Sequence, residues 1–400
     1  MPTPPDSRLD LPFFEPRHHD VVREVRAWLD AEHGIDSLVE GDYAQESRGF
    51  VRSLGRAGLL RHMFPTQDGG DVDVRTIALL REEICYRSAL ADSAFITQGI
   101  ATAALWRHGN QAVRDKYVAG ARDGSRIPAF GLSEPEGGSD VAATKTVARR
   151  EGDAWVIDGT KTWTSNAGIA DHYIVFARTG ELPGARGLSA FMVDADNPGL
   201  TVLEPLVVSA PHPMASVRFA NCRVKADMIV GEPTMGFQLA MSTLDIFRPT
   251  VGAAALGLAQ RALDEGVERV RTRVLYGAPM IAMPAVQARI AEMQADLHTA
   301  RLAVYRACWL RDKVGREGGR AASAISSMGK LVGTEAAHRI IDSAVQLFGG
   351  KGVTRGCIIE QLWRDVRAFR IYEGATEVQR AILGRHVARS VGQFPLPAAH

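Results

Sequence analysis

A carboxylate in the C-terminal part of the sequence has surroundings that suit a general base. Glu373 lies in the stretch IYEGATEVQR, residues 371–380, after two bulky apolar residues and before Gly374. Partial burial by such neighbours would raise the pKa of the carboxylate and make it a better proton acceptor, and Gly374 would leave space above it. The plainer interpretation is an ordinary acid in the first turn of a helix, where it complements the helix dipole.

Two further stretches contain residue types that suit a ligand with a flat ring or a phosphate. In AFGLSEPEGGSD, residues 129–140, the glycines allow close approach of the backbone, whose N–H groups can bind a phosphate or the polar edge of a ring. In KTWTSNAG, residues 161–168, Trp163 offers a flat apolar face beside polar atoms, which suits a planar heterocycle. The alternatives are an exposed serine turn for the first stretch and a buried strand tryptophan for the second.

A third glycine-rich stretch, QLFGGKGVTRG at residues 346–356, is close to a dinucleotide-binding fingerprint. That fingerprint has to follow a strand, whereas the preceding RIIDSAVQLF predicts the end of a long helix. We therefore prefer a glycine-rich helix C-terminus at this point. The sequence contains no HExxH, no GxxxxGK[ST] and no GxSxG, so metalloprotease, P-loop and α/β-hydrolase functions lose their main support.

Composition and charge narrow the class of protein. The chain has 400 residues, enough for two or three subdomains, and its net charge of +1 gives no indication of a nucleic-acid or anionic-membrane partner. The four cysteines are far apart and form no CxxC, which favours a reducing compartment over a disulfide framework or a metal site. No apolar run approaches the ~18 residues of a membrane span. We expect a soluble cytoplasmic protein.

The pattern of apolar residues, which indicates the elements that position these residues, changes twice along the chain. Apolar spacing is helical to about Ala121, short β-rich runs follow from about Ile127 to Gly231, and long helices return after Phe237. Within the β-rich part, Asp158-Gly159 predicts a hairpin turn. We predict a helical N-terminal domain at 1–125, a β-domain at 126–236 and a helical bundle at 237–400. The bundle seam is predicted at Val286, Ile290, Met293, Leu297, Ala300, Val304 and Ala307.

Six segments, in order along nearly the whole chain, resemble motifs of the acyl-CoA dehydrogenase family. They are FGLSEPEGGSD, KTWTSN, DIFRP, RVLYG, QLFGGKG and IYEGATEVQR. The resemblance implies a mainly helical α+β fold, with a helical N-terminal domain, a β-barrel-like middle domain and a C-terminal four-helix bundle. It also implies a homotetramer, arranged as a dimer of dimers, and FAD as cofactor.

The resemblance assigns roles to individual positions. The implied FAD contacts are Phe130, Leu132, Ser133, Ser139, Trp163, Thr164, Ser165, Arg273, Gln346, Gly349, Gly350, Thr376 and Glu377, with Arg273, Gln346, Gly349 and Gly350 reaching the FAD of a neighbouring subunit. The implied acyl-CoA contacts are Ser139, Asp245, Arg248 and Gly374.

Glu373 is the catalytic base that the resemblance implies. The carboxylate would remove a proton from Cα of an acyl-CoA, and flavin N5 would take a hydride from Cβ, giving a trans-2-enoyl-CoA. In the family, the glutamate's own N–H and a ribityl hydroxyl bind the thioester oxygen. Electrons would pass to an electron-transfer flavoprotein. The rivals are an oxygen-using oxidase or monooxygenase of the same fold, a non-catalytic acyl-CoA- or flavin-binding paralogue, and a nicotinamide dehydrogenase.

The sequence departs from the family pattern at several positions. Ala375 stands where family members usually have threonine, and Met283-Pro284 is found in place of the usual Phe-Gln pair. Both differences affect expected contacts to FAD. The stretch SAPHPMASVRF lacks the usual Gly-x-Arg-x-Ser, which concerns the acyl group. Some relatives carry the base just before the arginine of Asp-x-x-Arg; Phe247 stands there, so Glu373 has no competitor.

Overall fold

The chain forms helices, then strands, then helices again, which confirms the predicted order. The computed structural model describes residues 8–32, 34–35, 41–66, 70–180, 182–210, 212–315 and 319–389. The helices of the first part are α1 (Pro16–Ala31), α2 (Tyr43–Arg56), α3 (Val74–Arg87), α4 (Ala89–Ile100), α5 (Ala103–His108) and α6 (Gln111–Asp123).

The middle part is an eight-stranded sheet. Its strands are β1 (Pro128–Gly131), β2 (Val147–Glu151), β3 (Ala154–Ser165), β4 (His172–Arg178), β5 (Leu188–Asp194), β6 (Leu200–Pro205), β7 (Met214–Lys225) and β8 (Ile229–Val230). The order across the sheet is β6-β7-β3-β2-β4-β5-β8, with β1 parallel to β4.

Strand β4 shows how this sheet is buried. Alternate side chains point to opposite faces of a strand, and both faces of β4 are covered. Tyr173 and Val175 belong to a core cluster with Trp155, whereas Ile174 and Phe176 pack with helical residues such as Leu105, Tyr117 and Leu239.

The last part consists of long helices and a small hairpin. Its elements are α7 (Gly236–Thr272), β9 (Val274–Leu275), β10 (Ala278–Pro279), α8 (Pro284–Val314), α9 (Gly319–Phe348), α10 (Ile358–Phe369) and α11 (Thr376–Arg389). The seam predicted on α8 is buried except at Ile290, which is partly exposed. None of the described helices combines the length and the apolar character that crossing a membrane requires.

The predicted hairpin at Asp158-Gly159 is wrong. Both residues lie inside β3, where the pairing with β7 shifts register between Ile157 and Gly159. The Asp158 carboxylate accepts the N–H of Asn221 at 2.7 Å, and a Cβ atom on Gly159 would lie 2.4 Å from Thr146 Oγ1. The glycine therefore permits a β-bulge with close backbone approach, whereas β2 and β3 are joined through Gly152 and Asp153.

The contacts divide the chain into two compact units. One comprises Met1–Val39, Asp73–Asp92 and Asp245–His400, and the other comprises Glu40–Val72 and Ser93–Leu244. Helix α3 therefore belongs to the same unit as most of the C-terminal helices. The boundaries at 125 and 236 stay a prediction.

Within the first unit, α7 and α9 approach each other at glycines. A Cβ atom on Gly333 would lie 2.6 Å from the Cα of Gly252, and one on Gly329 would lie 3.1 Å from the Cβ of Pro249. This close approach fixes the two helices at the level of Arg248, one turn before Gly252, and of Lys330, between the two α9 glycines.

Candidate active site

Glu373 lies in the turn that joins α10 to α11, not inside a helix. Helix α11 begins at Thr376, so the interpretation of Glu373 as an acid in the first helical turn is wrong. Its φ is +52°, followed by +93° at Gly374. A left-handed conformation is costly for a residue with a side chain and persists only where the surroundings impose it.

Two buried cations hold this turn by its carbonyl groups. Lys330 donates from Nζ to the carbonyl oxygen of Tyr372 at 2.5 Å and also to that of Gly374. Arg248 donates from Nε to the carbonyl oxygen of Glu373 at 3.1 Å. Three successive carbonyls are therefore bound by side chains of α7 and α9, which explains how the strained conformation is kept.

Two N–H groups of the same turn, those of Glu373 and Gly374, point to no protein acceptor among the described residues. Free N–H groups of a turn can bind an oxygen that carries negative charge. The φ of +93° at Gly374 favours a glycine. A Cβ there would also lie 2.4 Å from Gln379 Nε2, which donates to the Gly374 carbonyl at 2.8 Å.

The carboxyl group of Glu373 is buried among charges. Its Oε2 atom has no hydrogen-bond partner among the described residues. Burial raises the pKa of Glu373; the charges of Arg81, Lys330 and Arg248 lower it, and that of Asp92 raises it. The result is a carboxyl with a raised pKa and an unused oxygen, two properties of a general base.

Arg81 is the cation that influences Glu373 most. It is fully buried and bound by Asp92, with Nε to Oδ1 at 2.9 Å and Nη2 to Oδ2 at 2.7 Å, and its Nη1 donates to Thr250 Oγ1 at 3.0 Å. The two side chains come from α3 and from the first residues of α4. Their mutual pairing is what permits full burial of the guanidinium.

Arg81, Asp92 and Lys330 were missed by the sequence reasoning. The sequence does contain a signal for Arg81, because this charged residue lies among Ile77, Leu80 and Ile84 on a helix with apolar spacing. Lys330 follows a small residue in SMGKLVG and has no comparable signal.

The predicted acyl-CoA residues Asp245, Arg248 and Gly374 lie in this network. Arg248 Nη1 contacts Asp245 Oδ1 at 2.6 Å, and Asp245 also accepts a hydrogen bond from Ser323 Oγ. The pair therefore supports the Glu373 turn directly. Of the predicted FAD contacts nearby, Thr376 is buried and donates to Glu335 Oε1 at 2.7 Å, whereas Glu377 is exposed.

In the second unit, the two stretches predicted to bind a flat ligand are joined. Lys161 on β3 donates from Nζ to Glu134 Oε1 at 2.9 Å and to the carbonyl of Leu132 at 3.0 Å, and the Lys161 and Glu134 side chains are buried. The N–H of Thr162 donates to the carbonyl of Ser133 at 2.9 Å. The structure thus brings Leu132 and Ser133 next to the strand that carries Trp163.

Trp163 is not a core tryptophan. Its φ is +53° and it is 57% exposed, so the alternative of a buried strand tryptophan is wrong. The next residue, Thr164, has a buried Oγ1 without a partner among the described residues, and Ser165 Oγ lies 3.3 Å from His212 Nε2.

The remaining residues of the first stretch divide between core and surface. Phe130 packs on Phe176 with ring centroids 5.1 Å apart, and Ser139 is exposed on the loop that follows β1. Apart from its chain neighbours, none of the described residues has an atom within 4 Å of a Cβ built on Gly138. The loop is therefore open to a ligand at its glycine-rich end.

The other predicted FAD residues lie elsewhere. Gln346, Gly349 and Gly350 are exposed around the C-terminus of α9, and Arg273 is exposed at the start of the β9–β10 hairpin. Among the described residues, none of these four hydrogen-bonds to the Glu373 turn. The glycine-rich stretch follows a helix directly, so the dinucleotide-binding fingerprint is wrong and the helix C-terminus is confirmed.

The acyl-CoA dehydrogenase family matches the chain in three consecutive parts. Its N-terminal domain matches residues 15–125, its middle domain 129–222 and its C-terminal domain 234–388. The chain therefore belongs to the acyl-CoA dehydrogenase family, which confirms the resemblance, the fold class and an oxidoreductase acting on acyl-CoA.

Relatives and a solved structure agree with this assignment. The human mitochondrial short-chain specific acyl-CoA dehydrogenase is 37% identical over 346 residues, which cover 85% of this chain and 82% of that protein. The cyclohexane-1-carbonyl-CoA dehydrogenase of Geobacter metallireducens is 34% identical over 374 residues, covering 92% and 97%. The butyryl-CoA dehydrogenase structure from Megasphaera elsdenii is 27% identical, covers 94% and 99%, and superposes with a TM-score of 0.85.

FAD is the cofactor of this family, and the second unit has groups that fit it. The exposed indole of Trp163 suits a flat ring, the unpartnered Thr164 hydroxyl suits a ring heteroatom, and the open loop at Gly138 suits a phosphate.

Proposed function

We propose that this protein removes two hydrogens from Cα and Cβ of an acyl-CoA thioester, giving a trans-2-enoyl-CoA, with Glu373 as the base. The observation that carries the proposal is the buried Oε2 of Glu373, which has no partner among the described residues, in a turn where the Glu373 and Gly374 N–H groups also have no acceptor among them. A carboxylate and a free donor on the same residue are what α-proton abstraction from a thioester requires.

Each group of the Glu373 turn has a part in that chemistry. The carboxylate takes the proton from Cα, and the Glu373 N–H donates to the thioester oxygen as negative charge builds there; losing one such donor typically costs ~3 kcal/mol of transition-state stabilisation. FAD supplies, when bound, the acceptor for the hydride that leaves Cβ. Gly374 is the proposed thioester contact beside the base, and Asp245 with Arg248 supports the turn through the Glu373 carbonyl.

Residues of each unit are proposed to contact FAD, and the two sets are given separately. In the second unit they are Phe130, Leu132, Ser133, Ser139, Trp163, Thr164 and Ser165. In the first unit they are Thr376 and Glu377, together with Arg273, Gln346, Gly349 and Gly350 toward the FAD of a second subunit in a homotetramer. Ser139 would also lie toward the acyl-CoA.

The electron acceptor, the compartment and the size of the acyl group complete the proposal. An electron-transfer flavoprotein is the proposed acceptor, and the cytoplasm is the proposed compartment. Two relatives are named for short-chain and cyclohexane-1-carbonyl-CoA substrates, which supports a short or compact acyl group here.

The decisive experiment is anaerobic bleaching of the flavin by acyl-CoA in Glu373→Gln. We expect this variant to keep its FAD and its yellow colour, while butyryl-CoA, cyclohexane-1-carbonyl-CoA and octanoyl-CoA all fail to bleach it. Glu292→Gln, at an exposed position of α8, is the matched control and should bleach like the unmodified protein. Substantial bleaching of Glu373→Gln would disprove the role of Glu373. Steady peroxide formation under air without an added acceptor would instead identify an oxygen-using enzyme.

A further inference from the structure

Lys330 is a buried cation that the chemistry just described does not use. It lies on α9, is 1% exposed, and has Gly329 before it and Gly333 one turn later, where α9 meets α7. Among the described residues, no carboxylate forms an ion pair with its ammonium. A buried ammonium without a direct counter-ion is costly, so an apolar side chain would be the favoured occupant unless the charge has a task.

The contacts of Lys330 indicate that task. Its ammonium donates to the carbonyls of Tyr372 and Gly374, the residues on either side of Glu373 in the chain. Binding both flanking carbonyls fixes the peptide planes before and after the Glu373 carboxylate and maintains its positive φ.

We propose that Lys330 is the positioning residue of the base: it clamps the turn so that the carboxylate and the N–H of Glu373 are both presented to the acyl-CoA, and its charge favours the carboxylate form of Glu373. The inference rests on the proposed role of Glu373 and adds a residue to it.

Lys330 differs from Arg248, the other cation that binds the turn, in the number of carbonyls it binds and in its ion pairing. Arg248 binds one carbonyl and is paired with Asp245 at 2.6 Å, so much of its field is compensated. Lys330 binds two carbonyls and, in the part of the chain that the structure describes, has no carboxylate in direct contact. The charge of Lys330 therefore acts on Glu373 without a direct ion pair among the described residues.

The charged groups around both residues set the direction of the effect. Those acting on Glu373 are Arg81 of α3, Asp92 of α4, Arg248 of α7 and Lys330 of α9. Those acting on Lys330 are Glu373, Arg248 and Glu335. Burial lowers the pKa of Lys330 to about 7, and its charge lowers the pKa of Glu373. Burial raises the pKa of Glu373, and the charge of Lys330 opposes that effect. Removing the charge should therefore raise the pKa of Glu373 further.

The test compares Lys330→Met and Lys330→Arg with two control variants. Arg301→Met removes a cation of similar burial that pairs with Glu82, and Lys313→Met removes an exposed cation at the end of α8. For each protein, loaded with FAD, the rate of anaerobic flavin reduction by butyryl-CoA is measured against pH. Amide hydrogen exchange of Tyr372 and Thr376 is measured alongside, since these N–H groups are bonded to Ala368 and Arg370.

We expect Lys330→Met to slow flavin reduction by about tenfold or more and to move the acid limb of its pH profile to higher pH. Its Tyr372 and Thr376 amides should exchange faster. Lys330→Arg keeps the charge, so its acid limb should stay in place while its rate is only partly restored. Arg301→Met should lower the melting temperature and leave the acid limb unchanged.

A wild-type acid limb together with wild-type exchange in Lys330→Met would overturn the inference. So would a shift of the limb in Arg301→Met as large as that in Lys330→Met, because any loss of stability would then produce it. The exchange experiment is repeated with Lys330→Met added to Glu373→Gln, and the double variant is compared with Glu373→Gln alone, where no chemistry is needed. Faster exchange in the double variant would support the clamp even if Glu373 failed as the base. Unchanged exchange would reject the clamp even if Glu373 succeeded.

Discussion

The ammonium of Lys161 lies 2.9 Å from Oε1 of Glu134, and both side chains are buried. Glu134 also accepts the N–H groups of Lys145 and Thr146 at 2.7 and 2.9 Å. One buried ion pair therefore joins the loop after β1 to strand β3, the two segments that carry the proposed FAD contacts of the second unit.

Replacing Lys161 by methionine should both destabilise the protein and weaken FAD retention. The variant leaves a buried, unpaired carboxylate, which typically costs ~3–5 kcal/mol. Denaturant unfolding and the ratio of flavin to protein after gel filtration measure the two effects. Arg149→Met is the matched control in the same sheet, because its exposed pair with Asp158 should contribute only ~0–1 kcal/mol. Equal losses in both variants would show that the buried pair has no special role.

The packing of α7 against α9 gives a second prediction. Gly333→Ala places a Cβ 2.6 Å from the Cα of Gly252, and a backbone atom cannot move aside cheaply. We expect ~1–3 kcal/mol of destabilisation and slower flavin reduction, because the helices that carry Arg248 and Lys330 are forced apart. Gly384→Ala is the opposite case: it lies in α11 with open space around it and should stabilise by ~0.5–1 kcal/mol. Thermal unfolding of both variants is the measurement, and a neutral Gly333→Ala would contradict the packing.

The glycine-rich loop, Trp163, Asp158-Gly159 and Lys330 show what a sequence can predict and what it cannot. The order of helices and strands follows from local apolar spacing, and the glycine-rich loop and Trp163 are recognisable from residue type alone. The Asp158-Gly159 signal failed because pairing with β7 overrides a local turn preference. Lys330 was missed because its role depends on carbonyls 42 and 44 residues further along the chain. Contacts at that separation leave no periodic trace in a single sequence.

His172 should make stability depend on pH. It is fully buried, both ring nitrogens lack partners among the described residues, and burial lowers its pKa from 6.5 to about 4. Between those values the unfolded chain binds a proton that the folded chain does not, so the free energy of unfolding falls as pH drops from 6.5 to 4. The loss attributable to this residue should be about 3 kcal/mol.

Urea unfolding at a series of pH values in His172→Phe tests this assignment. The variant should lose much of the slope between pH 4 and 6.5, whatever its stability at neutral pH. His298→Gln, at an exposed position of α8, should keep the slope of the unmodified protein. An unchanged slope in His172→Phe would assign the proton uptake to other groups.

Asp92 should move the acid limb of the reaction in the direction opposite to Lys330. Its negative charge raises the pKa of Glu373, and it compensates Arg81, whose charge lowers that pKa. In Asp92→Asn both effects favour the carboxylate, so the rate of anaerobic flavin reduction should persist to lower pH than in the unmodified protein. The variant should also be destabilised by ~3–5 kcal/mol, because the buried Arg81 loses its counter-ion. The pH series used for Lys330→Met is measured for Asp92→Asn as well, so that the acid limbs of the two variants can be compared. Opposite shifts in the two variants are expected of a titrating group that senses both charges, as Glu373 does, whereas shifts in the same direction would exclude Glu373 as that group.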